Sequence, residues 1–354
     1  MSLDLIPEAR RQIEICNACR YCEGYCSVFP AITRQRAFAD GDIIQLANLC
    51  HNCRGCYYAC QYTAPHEFDL NLPRVLADLR TQSWKDYAWP RGWARVLDRS
   101  GLWISALFVL ALAGLFLAIQ SFGQTGGEGF YAYLSHAAMV AIFAPAFLFP
   151  LLAVAVSLRQ FWRDTGGGAV TLAGLTSALS SAGRMTNLGG GHGEGCNFED
   201  EDRYSNTRRW YHQATLYGFL MCFGATSAGT VLHYVFGLEA PYAWYSLPKL
   251  LGVPGGILLC AGTAGLAALK LKADPKLGAT HAWGGEMAFV VLLFVVSATG
   301  LALYAATGTA AVPGLLALHL SAVLTFFLMT PYSKMVHGLF RLAALVRDAQ
   351  QNRA

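Results

Sequence analysis

Hydrophobic and polar positions follow two different patterns along this chain. In the first hundred residues, apolar positions recur at short helical spacings among frequent charges. Residues 5–15 show them at mixed helical spacing. DIIQLANL at 42–49 carries Ile43, Ile44, Leu46, Ala47 and Leu49, with Asp42 as the predicted N-cap. Residues 31–39 form another short segment, separated from it by Asp40-Gly41. PHEFDLNLPRVLADLR at 65–80 restarts a helix near Pro73. Little of this region alternates with period two, so it reads as helical. Beyond residue 100 the apolar positions join into six long blocks: 102–122, 134–158, 212–237, 247–269, 287–306 and 313–332. A spanning helix needs about 20 apolar residues to cross a hydrocarbon layer of about 30 Å. No charge occurs between Glu286 and Lys334, and the GTAAVPG stretch near Pro313 divides that run into two spans.

Composition agrees. Of 354 residues, 55% are hydrophobic and only 14% charged, which is unlike an ordinary soluble domain. The net charge of +4 is too small to argue for nucleic acid, and its placement is uneven. Segments 120–136, 238–246 and 305–315 hold no Lys or Arg. The opposite side carries Arg159, Arg163, Arg203, Arg208, Arg209, Lys270, Lys272, Lys276, Lys334, Arg341 and Arg347. The positive-inside rule then puts both termini in the cytoplasm of a multi-pass inner-membrane protein. The N-terminal residues MSLDLIPEARRQIEI contain acids and no apolar core, so they are not read as a signal peptide. Trp84, Tyr87, Trp89 and Trp93, with Arg91 and Arg95, read as an interfacial belt.

The candidate chemistry is concentrated in residues 16–60. CNACRYCEGYC and CHNCRGCYYAC are each C-x2-C-x2-C-x3-C, and together they hold eight of the eleven cysteines. Two-residue gaps let a chain wrap three thiolates round one [4Fe–4S] cube, and the fourth cysteine reaches the neighbouring cube. Cys16, Cys19, Cys22 and Cys60 are therefore assigned to one cluster, and Cys50, Cys53, Cys56 and Cys26 to the other. Zinc usually takes its ligands in two pairs, and disulfides need an oxidising compartment. Neither fits as well. The proline that usually follows the fourth cysteine is missing: Ser27 and Gln61 stand there, with Pro30 and Pro65 further on. The glycine run at 189–195 follows no strand and reads as a loop, so no dinucleotide-binding domain is expected.

Histidines supply the second candidate site. Ionisable groups inside spans are costly and usually functional. His212, His281 and His337 fall near the cytoplasmic ends of spans, and His136, His233 and His319 toward the outer side. Interfacial anchoring explains any single one. Two helices offering one imidazole each explain the layers, as ligands of one or two six-coordinate b-type haems. His319 and His337 are 18 residues apart, about 27 Å at the helical rise. His212 with His337 is the favoured inner pair, with His281 in reserve, and His319 and His233 lead the outer layer. His51 and His66 are expected to pack or tune, and His192 is assigned no role. Cys196 reads as part of a structural loop or as a free surface thiol, and Cys222 and Cys260 as packing. The acids at 199–202 read as a solvated face or a docking site for a partner's basic patch. Lys249, Trp244, Tyr245 and Trp283 are candidate quinone contacts.

Three stretches together resemble one family: ICNACRYCEGYCSVFPA, LANLCHNCRGCYYACQYTAPHEFDLNLPRVLADLR and GEGCNFEDEDRYSNTRRWYHQATLYGFLMCFGATS. They are similar to the membrane B component of tricarballylate utilisation, the CitB type, over nearly the whole chain. The resemblance implies a cytoplasmic flavoprotein dehydrogenase partner that oxidises tricarballylate. This subunit would reoxidise its flavin and pass electrons to quinone. A similar fused relative serves cobalamin synthesis and holds haem and clusters, so the donor's substrate does not travel with the resemblance. LHLSAVLTFFLMTPYSKMVHGLF also resembles the last helix of the di-haem cytochrome b subunit of nitrate reductase. That likeness carries haem ligation onto His319 and His337, which in that family bind two different haems. The expected architecture is mainly α. A helical dicluster ferredoxin-like domain (1–80) and a linker (81–101) lead into a six-span cytochrome b-like bundle (102–340) with a cytoplasmic loop at 159–211, and a tail follows (341–354). The expected role is electron transfer, with no catalysis on the organic substrate. A membrane-bound redox sensor and a self-contained heterodisulfide-type reductase are the alternatives, and no output domain or further cysteine-rich motif favours either.

Overall fold

The computed structural model describes residues 5–122, 129–190, 193–198 and 203–352. His192 and the acids at 199–202 lie outside them. Among the described residues the chain is helical throughout, with one isolated bridge between Cys196 and Ser205. The head comprises α1 (Leu5–Cys19), α2 (Val28–Thr33), α3 (Asp40–Leu49), α4 (Gly55–Tyr58) and α5 (Leu72–Tyr87). The long helices are α6 (Trp93–Phe122), α7 (His136–Asp164), α9 (Thr207–Phe236), α10 (Leu247–Lys272), α11 (Trp283–Ala305) and α12 (Val312–Met329). Six segments are long and apolar enough to cross a membrane. Between α7 and α9 lies α8 (Leu172–Arg184), and the chain closes with α13 (Val336–Gln351).

Local signals explain the helix limits. Asn71 caps α5, its side-chain oxygen accepting from Arg74 N at 3.2 Å, and Pro73 fits the first turn. Ser135 caps α7 in the same way through Ala138 N. Pro145 and Pro150 stay inside α7, as spanning helices tolerate. α3 starts at Asp40, earlier than the pattern implied. Asp42 is its third helical residue and accepts from Ala39 N at 3.0 Å, so it closes the turn from within. Asp40-Gly41 therefore does not separate two segments. Gly41 is needed for packing, because a Cβ there would strike the Asp164 carbonyl at the end of α7.

The head and one end of the bundle share one core. Ile13, Ile32, Ile43, Leu46 and Leu76 pack in the same cluster as Phe161 of α7, Ala178 of α8, and Phe340 and Ala344 of α13. Burying each of the Ile, Leu and Phe side chains contributes about 1.5–3 kcal/mol. The ion pairs Arg34–Asp348 and Arg347–Asp42 clasp α13 to the head. The segment expected as a tail is thus a helix whose apolar face belongs to this core. The amphipathic spacing of Val336, Phe340 and Ala344 is the reason.

The bundle runs α9–α10–α11, with α6 and α12 packed on α11 and α7 on α12. Small residues set the tight α9–α10 contact: a Cβ on Gly218 would stand 2.6 Å from Leu259 N. α9 makes no comparably close backbone contact with α7, α12 or α13. Side chains bridge that space instead, including Phe147–Phe223 and Phe219–Phe326. His212 and His233 share one continuous helix, whereas His319 and His337 do not. α12 ends at Met329, a short turn containing Pro331 follows, and α13 restarts at Val336. The helical rise therefore does not measure the separation of His319 from His337.

Candidate functional site

The eight cysteines of the head form two neighbouring sets. Cys16, Cys19, Cys22 and Cys60 border a cavity of about 220 Å³ that also meets Tyr21 and Tyr62. Cys26, Cys50 and Cys53 border a second, narrower cavity, and Cys56 lines both. Three of the two-residue gaps turn through a left-handed residue: Arg20, Asn52 and Arg54 have φ of 57°, 51° and 69°. Non-glycine residues held there cost on the order of 1 kcal/mol each, strain that surrounding structure must offset. Backbone N–H groups donate to sulfur in both sets: Asn52 N to Cys50 Sγ at 3.3 Å and Tyr62 N to Cys60 Sγ at 3.4 Å, with Val28 and Phe29 on Cys26, Gly55 on Cys53 and Thr63 on Cys60.

Burial, then the neighbouring thiols, push Cys16 and Cys22 up to about 12 and Cys53 up to about 11, and raise Cys26 and Cys56 too. Cys60 acts most strongly on Cys16 and Cys22, while Cys26 feels Cys53 and Cys50. The two sets also act on each other, Cys53 on Cys22 and Cys22 on Cys56. Thiols so placed become thiolates only beside compensating cations. Among the described residues no three Cys, His, Asp or Glu side chains gather tightly enough for a single metal ion. Eight cysteines spread round two adjoining cavities, with Cys56 on both, fit larger iron–sulfur groups.

The second set sits beneath arginines that sequence reading did not single out. Arg80 of α5 and Arg341 of α13 both donate to the Cys50 carbonyl at 2.7 Å. Arg208, at the start of α9, donates to the carbonyls of His51 and Asn52 at 3.0 and 2.8 Å. Arg54 donates to the Asn52 side chain and to the Phe198 carbonyl. Phe198 lies under both Arg54 and Arg208, at 4.6 and 4.0 Å. None of these four guanidiniums forms an ion pair with a carboxylate among the described residues. Burial and the neighbouring Arg208 push Arg54 down to about 10. Burial and Arg80 push Arg341 down to about 9. Leaving such a charge buried without a counter-charge costs about 3–5 kcal/mol, so the cluster of arginines calls for an anionic group among them.

Loop residues complete this wall. Cys196 is buried, paired through backbone to Ser205 and packed beside Cys53. It is not a surface thiol. Gly195, with φ of 104°, permits the close approach to the Ser205 carbonyl. His51 faces the Leu49 carbonyl through Nδ1 at 2.9 Å, and burial holds it well below its usual range. His66 packs on Tyr62 and Phe68.

The histidines divide unevenly. His212 and His337 face each other with ring centroids 5.9 Å apart, and Trp84 stands 6.4 Å beyond His337. His337 Nδ1 bonds the Lys334 carbonyl, and His212 Nδ1 finds no partner in another residue. His136 stacks on His233 at 4.3 Å, nearly parallel, with Tyr131 and Tyr234 at their edges. His319 instead turns to α11. Its Nδ1 lies 3.1 Å from Thr299 Oγ1 and its ring rests on Gly300. His281 bonds Asp78 and Thr81 of α5.

A cleft opens between α5, α6 and α11, bordered by Trp84, Lys85, Ser105, Glu286 and Lys334. Glu286 pairs with Lys270 and with Lys334, the latter at 2.9 Å. None of the quinone candidates from the sequence lines it: Trp244 and Tyr245 are exposed and meet edge to face, Lys249 lies 4.0 Å over Tyr304, and Trp283 is exposed.

The family model of the citrate utilization protein B Fer4-like domain matches residues 9–88, and the model of citrate utilization protein B matches residues 94–354. The chain belongs to the citrate utilization protein B family. It is 38% identical over 353 residues to citrate utilization protein B of Escherichia coli, covering 98% of this chain and 92% of that one. No solved structure matches it. Family membership makes the cysteine-rich head a Fer4-like iron–sulfur domain and the six apolar helices the membrane part of a citrate utilization protein B chain. The two family matches meet between residues 88 and 94, where α5 has ended and α6 begins.

Proposed function

We propose that this protein is the membrane electron-transfer subunit that reoxidises a reduced flavoprotein dehydrogenase of tricarboxylic-acid breakdown and delivers the electrons to quinone. Cys16, Cys19, Cys22 and Cys60 would hold one [4Fe–4S] cluster and Cys50, Cys53, Cys56 and Cys26 the other. Such clusters supply one-electron transfer, which splits the two-electron oxidation of a flavin into single steps. The observation carrying this reading is the division of eight cysteines between two adjoining cavities, with Cys56 on both. Tyr21, 70% exposed at the first cavity, leaves that side accessible to a soluble donor. Citrate in the relative's name and tricarballylate in the family resemblance point to the same class of donor substrate. The basic loops put the head and both termini in the cytoplasm.

His212 and His337 are the proposed ligands of a b-type haem. Their spacing and the bond from His337 Nδ1 to a backbone carbonyl, which orients that ring, suit that use. The cleft beside Trp84 supports a quinone near the same face. Leu97, Phe289 and Leu292 give it an apolar side and Glu286 and Lys334 a polar one, and Trp84 lies one helical turn from Arg80.

Anaerobic purification of the full chain tests the reading. Iron with acid-labile sulfide, and two low-temperature paramagnetic signals after dithionite, are expected. A sharp α band in the reduced-minus-oxidised spectrum is expected from haem, and duroquinone should reoxidise the reduced protein. Zinc in place of iron would overturn the cluster reading. A spectrum that only bleaches broadly would overturn the haem.

A further inference from the structure

We infer that Arg80, Arg208 and Arg341 hold the cluster of Cys50, Cys53, Cys56 and Cys26 at a higher reduction potential than the cluster of Cys16, Cys19, Cys22 and Cys60, so that an electron entering at the surface moves inward. The inference rests on the two-cluster reading and adds an order between the two sites.

The asymmetry is in the surroundings. Three successive carbonyls of the second cysteine run, at residues 50, 51 and 52, accept hydrogen bonds from guanidiniums. No carboxylate neutralises those three arginines among the described residues. No charged side chain lines the first cavity, whereas Arg54 lines the second, and Arg80, Arg208 and Arg341 reach its cysteine loop. Arg20, its neighbour in sequence, turns to the Asn17 carbonyl at the solvated surface, and Glu23 bonds Thr33. A four-cysteinate iron–sulfur cluster is anionic and becomes more so on reduction. Positive charge close by favours the reduced form, and burial opposes it. The guanidiniums touch the ligating loop itself and are little screened, because charges held away from water act over short distances with a low effective dielectric. They therefore outweigh the burial of the inner site. In the step this favours, the outer cluster is oxidised by one electron and the inner one reduced by one. No bond breaks and no proton moves. Arg208 begins α9 and Arg341 lies on α13, so elements outside the head supply two of the three charges.

The test is a redox titration of the full chain in detergent, followed by paramagnetic resonance at low temperature. Two midpoints are expected, and Cys19→Ser should remove the lower one, which assigns it. Arg341→Met and Arg208→Met should each lower only the higher midpoint, by about 59 mV for a tenfold change in a one-electron equilibrium. Arg341→Lys should restore part of the shift, and Arg20→Ala should move neither signal. Iron content equal to wild type shows that a variant retains its clusters. If Arg341→Met loses iron, Arg208→Met and Arg341→Lys carry the test. Unmoved midpoints in iron-replete variants, or equal shifts of both, would overturn the inference while leaving two clusters in place. Absence of any iron–sulfur signal in the wild type would overturn the two-cluster reading itself.

Discussion

The two ends of the helical bundle use histidine in opposite ways. At the end beside the head, His212 and His337 stand 5.9 Å apart on helices that do not pack closely, near Arg208 and Arg341. At the end away from the head, His136 and His233 close on each other at 4.3 Å, and His319 is bonded to Thr299. An imidazole pair held apart is available to a third group. A stacked pair is already occupied with itself. The same residue type is thus held in two geometries, a separated pair at one end and a stacked pair at the other, although His212 Nδ1 and His233 Nδ1 are alike in having no partner in another residue. Position along a span did not distinguish them.

The largest effect that would break this comparison is spectral. His337→Ala and His212→Ala should each abolish the haem α band, while His136→Ala and His233→Ala should leave it. A substitution at the end away from the head that removed the band would invert the assignment. Next is Glu286→Gln, which leaves Lys270 and Lys334 without their carboxylate at the end beside the head. The expected loss is about 3 kcal/mol, toward the low end for a broken buried pair, since the two amines keep 15% and 29% of their exposure. Thermal unfolding in detergent measures it, and an unchanged transition would mean the network contributes little. Thr299→Val should cost about 1.5 kcal/mol, the loss of one hydrogen bond, because the Val296 backbone still bonds His319, and should not touch the α band. Smallest is His136→Phe, which keeps a ring against His233 and should cost less than about 1.5 kcal/mol, as similar-volume swaps usually do. A loss well above that would show the imidazole nitrogens at work.

Much of the fold was legible because it is local. A run of about 20 apolar residues needs only itself to form a spanning helix, and the six such runs reappear as α6, α7 and α9 to α12. The absence of period-two alternation anticipated a head without named strands among the described residues. The helix break after Met329 was harder to see, because apolar character continues through Pro331 to Tyr332. Arg341 carried a weak signal: a charge between Phe340 and Leu342 on a helix with a buried face. Counted as a basic residue near a span, it looked like part of the positive-inside pattern. Arg208 was absorbed in the same way.

By itself the sequence determined which helices form, the family, and two cysteine runs whose spacing suits two clusters. Each follows from spacing within one segment, where covalent geometry fixes what lies beside what. The tertiary structure decided what surrounds those segments. Arg341 meets the Cys50 carbonyl across 291 positions of chain, and Arg208 meets Asn52 across 156. Only packing chooses such partners. It is also packing that sets His212 apart from His337 and His136 against His233, since the distance between two side chains on different helices is written in neither helix.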